Sequence, residues 1–309
     1  MRIRGVMLGL VASAGLVAVA GIGLRAGMLA GPAAIAALLS LAGYAAAAGR
    51  DAPGRVRWPV LAAAVLLTAA AVGVTVWLAR AAHGNADLAG PSASTPDGSA
   101  GPDARDLLRD NEADLAHVRW IAAGLLLPAV GFAVAALTAG LRPAGRRGKR
   151  LPAATASVGA LLLAVLAVRG LSLASEDWAG TGTTTARRVV DLTGAVWLAV
   201  LAAAVSIAAA VLAARRTGAA GWFGATGGLL FAAPAFALAS VAMDTVFTRW
   251  LLEPGDGSWL QPGVRYGVAA PMLREPAVDL SGSLIAAAFL TGAALLAAGL
   301  LRTSARSVP

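Results

Sequence analysis

"VVDLTGAVWLAVLAAAVSIAAAVLAARR" occupies Val189 to Arg216, and its layout decides how the rest of the chain is read. Between Asp191 at one end and Arg215 and Arg216 at the other, Leu192 to Ala214 carries no charge. Roughly 20 apolar residues cross the hydrocarbon of a bilayer, where backbone groups find no water and must bond within their own segment. The stretch therefore reads as a transmembrane helix with one acidic and one basic end.

The same layout recurs along the chain. Apolar runs at about 5–24, 28–48, 58–79, 120–141, 151–168, 192–214, 222–243 and 280–301 give eight spans. Composition agrees, with 58% hydrophobic and 13% charged residues and a mean hydropathy of +0.75, against roughly 25% charged for a soluble domain. The expectation is an all-α, polytopic transmembrane helical bundle, a single integral membrane domain over 1–309 with long outer loops at 80–119, 169–191 and 244–279. The first run has an alternative reading as a cleaved signal peptide, because Arg2 and Arg4 precede it and Ala18, Val19 and Ala20 fit a small-residue cleavage site.

Charge orients the spans. If eight helices alternate, 14 of the 25 basic residues fall on one side with a single acid, Asp51, while the other 15 of the 16 acids fall opposite. Arginine accumulates in short cytoplasmic loops, so both termini are expected in the cytoplasm. Topology also accounts for the pI near 11.4 without nucleic acid. Lys149 is the one lysine, and abundant Ala, Gly and Arg are what GC-rich coding produces, so the compositional bias needs no functional reason; the expected location is a bacterial plasma membrane, as a multi-pass protein. With no cysteine and two histidines, disulfides and thiolate metal sites are excluded and a haem centre has little to bind it, so no cofactor is expected.

The spans form helical hairpins in series. "ADLAHVRWI" at Ala113, "VVDLTGAVW" at Val189 and "AVDLSGSLI" at Ala277 open the even spans after each long loop, and the odd spans carry Arg25, Arg80, Arg169 and Arg249 toward their outer ends. One reading is capping: an acid or hydroxyl meets the positive end of a starting helix, an arginine the negative end of a finishing one. The other is functional. Arg80, Arg169, Arg249, Asp114, Asp191, Asp244 and Asp279 would converge as a polar ring at the outer mouth, with Arg169 paired to Asp244 or Asp191.

Other candidates are more local. Pro128 and Pro234 sit inside spans, where each frees a carbonyl and kinks the helix. Gly5, Gly9 and Ser13, and Gly23, Gly27 and Gly31, have the small-residue spacing that lets helices approach closely. His83 and His117 make a weak metal pair flanking the first long loop, with low-complexity sequence between them. "DARDLLRDNEADLAHVRW" reads as a short amphipathic helix lying on the membrane or the bundle, and the Trp- and Pro-rich segment from Phe247 to Leu280 as a cover over the outer face. The basic stretch Arg142 to Arg150 would face anionic lipid.

No span has a charge at its midpoint, nor any histidine or glutamate, and no nucleotide loop or zinc signature appears. Three function classes remain. They are a non-catalytic membrane component packing with membrane-protein partners or lipids of the bilayer, a permease for a small or lipophilic solute, and an outward-facing enzyme using carboxylates such as Glu176, Asp177, Glu253 or Asp256.

Overall fold

A computed structural model describes residues 2–88, 104–140, 150–175, 184–252 and 280–302, and every regular element among them is helical. The elements are α1 (Arg2–Gly23), α2 (Gly27–Ala48), a 3₁₀ turn (Gly49–Asp51), α3 (Gly54–Leu88), α4 (Ala104–Gly140), α5 (Arg150–Ser175), α6 (Thr185–Ala213), α7 (Ala219–Phe231), α8 (Ala233–Leu252) and α9 (Leu280–Leu301). Eight stretches are long and apolar enough to cross a membrane, α7 and α8 together supplying one of them. The protein is an all-α polytopic bundle.

Helices bordering the long connections outrun their apolar cores. α3 continues to Leu88, α4 begins at Ala104 and α5 reaches Ser175. The amphipathic segment expected as a separate surface helix is the first part of α4, because nothing between Arg105 and Arg119 breaks a helix. Polar residues can stay helical beyond the hydrocarbon, so hydropathy marks the crossing and not the helix end.

Each successive hairpin packs on itself: α1 on α2, α3 on α4, α5 on α6 and α7 on α9. Further contacts of α2 with α3, α4 with α6, α6 with α7 and α9 with α1 close α1, α2, α3, α4, α6, α7 and α9 into a ring, while α8 lies on α4 and α6. Half of the apolar window of α6 and of α9 is buried, against 17% for α5, so α6 and α9 are central and α5 peripheral. Leu16, Leu161, Val165 and Val168 project outward from the peripheral helices. That inside-out arrangement suits lipid as solvent.

Lipid tails are as apolar as leucine, so helices here associate by close van der Waals contact. α7 and α9 touch backbone to backbone. A Cβ added to Gly292 would stand 2.5 Å from the Phe231 amide nitrogen, and one on Gly299 would stand 2.6 Å from the Gly224 nitrogen. Phe231 then joins three helices, edge-on to Phe132 of α4 at 5.4 Å and stacked on Phe289 of α9 at 5.3 Å. The small-residue stripes singled out in sequence behave differently. Gly5, Gly9 and Gly27 have nothing within 4 Å, and of the glycines named there Gly31 makes a tight contact, against Thr75. Spacing shows that a helix can approach closely, not which face it turns inward.

The α1–α2 turn ends α1 with two reversed hydrogen bonds, Ala26 N to Gly21 O at 2.7 Å and Arg25 N to Ile22 O at 3.0 Å. Arg25 occupies the left-handed position (φ 54°) that glycine usually fills in this motif. Gly21 serves a different need, since its Cβ would lie 2.9 Å from the Ala30 nitrogen across the turn.

The arginine-bearing connections gather at one end, here the arginine end. Arg4 pairs with Asp51, and Thr138 Oγ1 donates to the Arg55 carbonyl at 3.0 Å. Arg216 donates to three carbonyls at the finish of α9, those of Gly299 (2.6 Å), Leu300 (2.5 Å) and Arg302 (2.7 Å). A cation there satisfies orphan acceptors and meets the negative end of the helix dipole. Arg302 in turn lies 4.5 Å above the Phe223 ring.

Replacing Gly292 by alanine should therefore force α7 and α9 apart and cost about 1–3 kcal/mol. The control is Gly73→Ala, where a Cβ meets nothing within 4 Å and helix propensity predicts no loss. Thermal unfolding of both variants in detergent, followed by circular dichroism, distinguishes them.

Candidate functional site

At the far end, opposite the arginine end, α6 starts earlier than its apolar run. Thr184 has extended backbone angles and its Oγ1 accepts from the Arg187 amide at 3.3 Å, which makes it the N-cap. Asp191 therefore lies in the second turn and does not cap. Its carboxylate instead faces Arg187 of its own helix, Oδ2 to Nε 3.7 Å, a partly exposed i,i+4 pair. Exposed pairs of this spacing contribute about 0.3–0.5 kcal/mol, too little to define a site alone. Asp114 lies well inside α4. Capping is thus not what the repeated aspartate does in α4 or α6.

Arg188 is the residue that sequence reading passed over. It is 6% exposed, the one buried charged side chain among the described residues, and it is engaged with its surroundings. Counting on from the Thr184 cap would have found it, because Arg188, Leu192, Ala195, Ala199 and Ala202 recur at helical spacing and are all buried. The tandem arginines look like loop residues when the helix is started at Leu192. Beside them Arg119 of α4 donates from Nη2 to the Gly194 carbonyl of α6 at 3.0 Å.

Under these charges lies an apolar cluster from four helices, including Val118 and Ala122 of α4, Leu166 of α5, Leu192 of α6, and Met243 and Val246 of α8. A Cβ on Gly170 would stand 3.6 Å from the Met243 Cε. Gly170 follows Arg169 and Met243 precedes Asp244, so each of these two residues is one position along its helix from that contact. Of the seven expected ring members, Asp191 alone has a described side chain. Arg80, Arg169, Arg249, Asp114 and Asp244 lie on α3, α5, α8, α4 and α8 respectively, with side chains outside the described residues, and Asp279 is outside them altogether. His83 and His117 lie on α3 and α4 with their side chains likewise outside, and the described residues contain no group of three metal-ligating side chains. The loop acids Glu176, Asp177, Glu253 and Asp256, the basic stretch 142–149 and the covering segment 253–279 also fall outside.

The two prolines differ. Pro128 is fully buried within a helix assigned continuously from Ala104 to Gly140. At Pro234 the span is interrupted: α7 ends at Phe231, and the Ala232 amide bonds the Leu229 carbonyl at 3.2 Å and the Ala235 amide the Ala232 carbonyl at 3.1 Å, both three residues back. Proline lacks the N–H that would bond Leu230 and its ring crowds that carbonyl, so the chain tightens for one turn before α8 resumes.

Compared with protein-family models, curated proteins and solved structures, the chain matches none. The site must be judged on its own residues.

If Arg169 and Asp244 pair, single replacements by leucine should each destabilise, and the double replacement should cost less than their sum by at least about 0.5 kcal/mol. Thermal unfolding of the two single variants and the double variant measures this coupling. Additive losses would show that the two residues do not pair.

Proposed function

We propose that this chain is a non-catalytic component of a bacterial plasma membrane, with its termini and arginine end in the cytoplasm, packing with membrane-protein partners and lipid. The interior carries the reading. Among the described residues the buried serine and threonine hydroxyls are Thr68, Thr155 and Ser206, and each donates to its own helix four residues back, at 2.9, 2.8 and 2.7 Å. Groups spent in this way are not presented to a solute. The main core of the bundle is filled by alanine, leucine and the contacting rings of Phe132, Phe231 and Phe289. A solute path at mid-membrane is built from polar groups or broken helices that face a cavity.

The break at Ala232 favours the permease as the second reading, since half-helix ends supply backbone ligands in many carriers. Against it, Phe231 packs on two aromatic rings at that point.

Purified in mild detergent, the full chain should retain a stoichiometric membrane partner, and its thermal midpoint should not respond to a panel of small solutes. A solute that raises the midpoint in proportion to the logarithm of its concentration would replace this reading with the permease. A reporter inserted after Gly98 should signal from outside the cytoplasm; a cytoplasmic signal would reverse the proposed orientation.

A further inference from the structure

We propose that the connector between α2 and α3 is a binding site for the headgroup of an anionic phospholipid, formed by Arg50, Arg55, Arg57 and Trp58. The connector is held from three sides. Its 3₁₀ turn closes with Ala52 N on Gly49 O at 3.1 Å, Arg4 of α1 pairs with Asp51, and Thr138 of α4 holds the Arg55 carbonyl. Arg57 lies across Gly49 so closely that a Cβ there would stand 2.6 Å from its Cγ. Its guanidinium sits 5.2 Å from the Trp58 ring centroid, and its Nε is enclosed with no acceptor. Trp58 is 62% exposed, and Arg50 and Arg55 are exposed beside it.

Charge chooses the occupant. Asp51 is the connector's one acid and Arg4 already pairs with it, which leaves the charges of Arg50, Arg55 and Arg57 in excess there. A zwitterionic headgroup would bring an ammonium to a place whose one acid Arg4 already holds, whereas a phosphatidylglycerol headgroup brings a phosphate and no cation. The start of α3 adds the positive end of a helix dipole, and charge-assisted bonds from arginine to phosphate are the strong ones. Trp58 supplies the amphipathic ring that settles at the depth of the glycerol backbone, which distinguishes a lipid from free phosphate. The proposal deepens the preceding reading by naming the lipid, and it can fail while that reading stands, because partner retention does not pass through Arg57.

The test uses the full chain in phosphatidylcholine nanodiscs titrated with phosphatidylglycerol, reading retained lipid by native mass spectrometry and the thermal midpoint in parallel. The wild type should retain phosphatidylglycerol over phosphatidylcholine, and Arg57→Gln should weaken retention by about tenfold. Gly49→Ala should weaken it comparably, since it keeps every charge but displaces Arg57; Gly49 has helical angles (φ −68°, ψ −13°) that alanine adopts readily. Arg215→Gln, which removes an exposed charge elsewhere on the arginine end, should retain lipid as the wild type does. Should Arg57→Gln or Gly49→Ala fail to fold, the double variant Arg50→Gln and Arg55→Gln removes exposed groups alone and must still lose retention. Equal loss in Arg215→Gln, full retention in a folded Gly49→Ala, no preference for phosphatidylglycerol, or displacement of the lipid by inorganic phosphate would each overturn the proposal.

Discussion

Backbone contact between α7 and α9 at Gly224, Gly292 and Gly299 is the constraint on which the arrangement depends. In water a bundle gains stability by hiding apolar surface, but here the surroundings are apolar too, and helices remain together only where atoms approach more closely than lipid can. Glycine at the crossing permits that approach. It also sets where the neighbours go, because Phe231 is drawn against Phe289 of α9 and reaches Phe132 of α4. Gly228 lies similarly close to Ala210 of α6. α7 is therefore held from two sides by contacts that tolerate no added methyl group, and the interruption at Ala232 falls where that contact ends.

The two ends of the bundle solve different problems. At the arginine end carbonyls left without a helical partner are met by side chains from elsewhere: Arg216 of the α6–α7 connection reaches the last carbonyls of α9, and Thr138 of α4 donates to the Arg55 carbonyl, which Pro59 four residues on cannot bond. At the far end a charge is buried. Arg119 bridges α4 to α6, and Arg188 lies buried above an apolar cluster shared by α4, α5, α6 and α8. A buried guanidinium is costly to desolvate and does not persist without engagement. That cost makes the far end the place where a change of charge would matter most.

What was legible in the candidate site depended on where a helix was taken to begin. Starting α6 at its apolar run turned Arg187, Arg188 and Asp191 into a loop and Asp191 into a cap. The actual cap, Thr184, moves all three into the helix, sends Arg188 inward and leaves Asp191 facing Arg187. Hydropathy was blind to this because a membrane helix continues past the hydrocarbon for as long as its backbone can bond to itself. The prolines carry the same lesson. Pro128 and Pro234 are alike in sequence, yet the helix runs on through the first and is interrupted beside the second.

The sequence by itself determined the solvent, the helical class and the number of crossings, since an apolar stretch of sufficient length has no other way to satisfy its backbone in lipid. It also determined that arginine collects in alternate connections. Tertiary structure decided which small residues are contacts and which face outward: Gly292 and Gly5 are equally small, and only the first meets another helix. It decided likewise that Arg57 lies over Gly49, that Arg216 closes α9 and that Arg188 turns inward. Span and charge are properties of a segment, whereas the inward face of a helix is chosen by its neighbours.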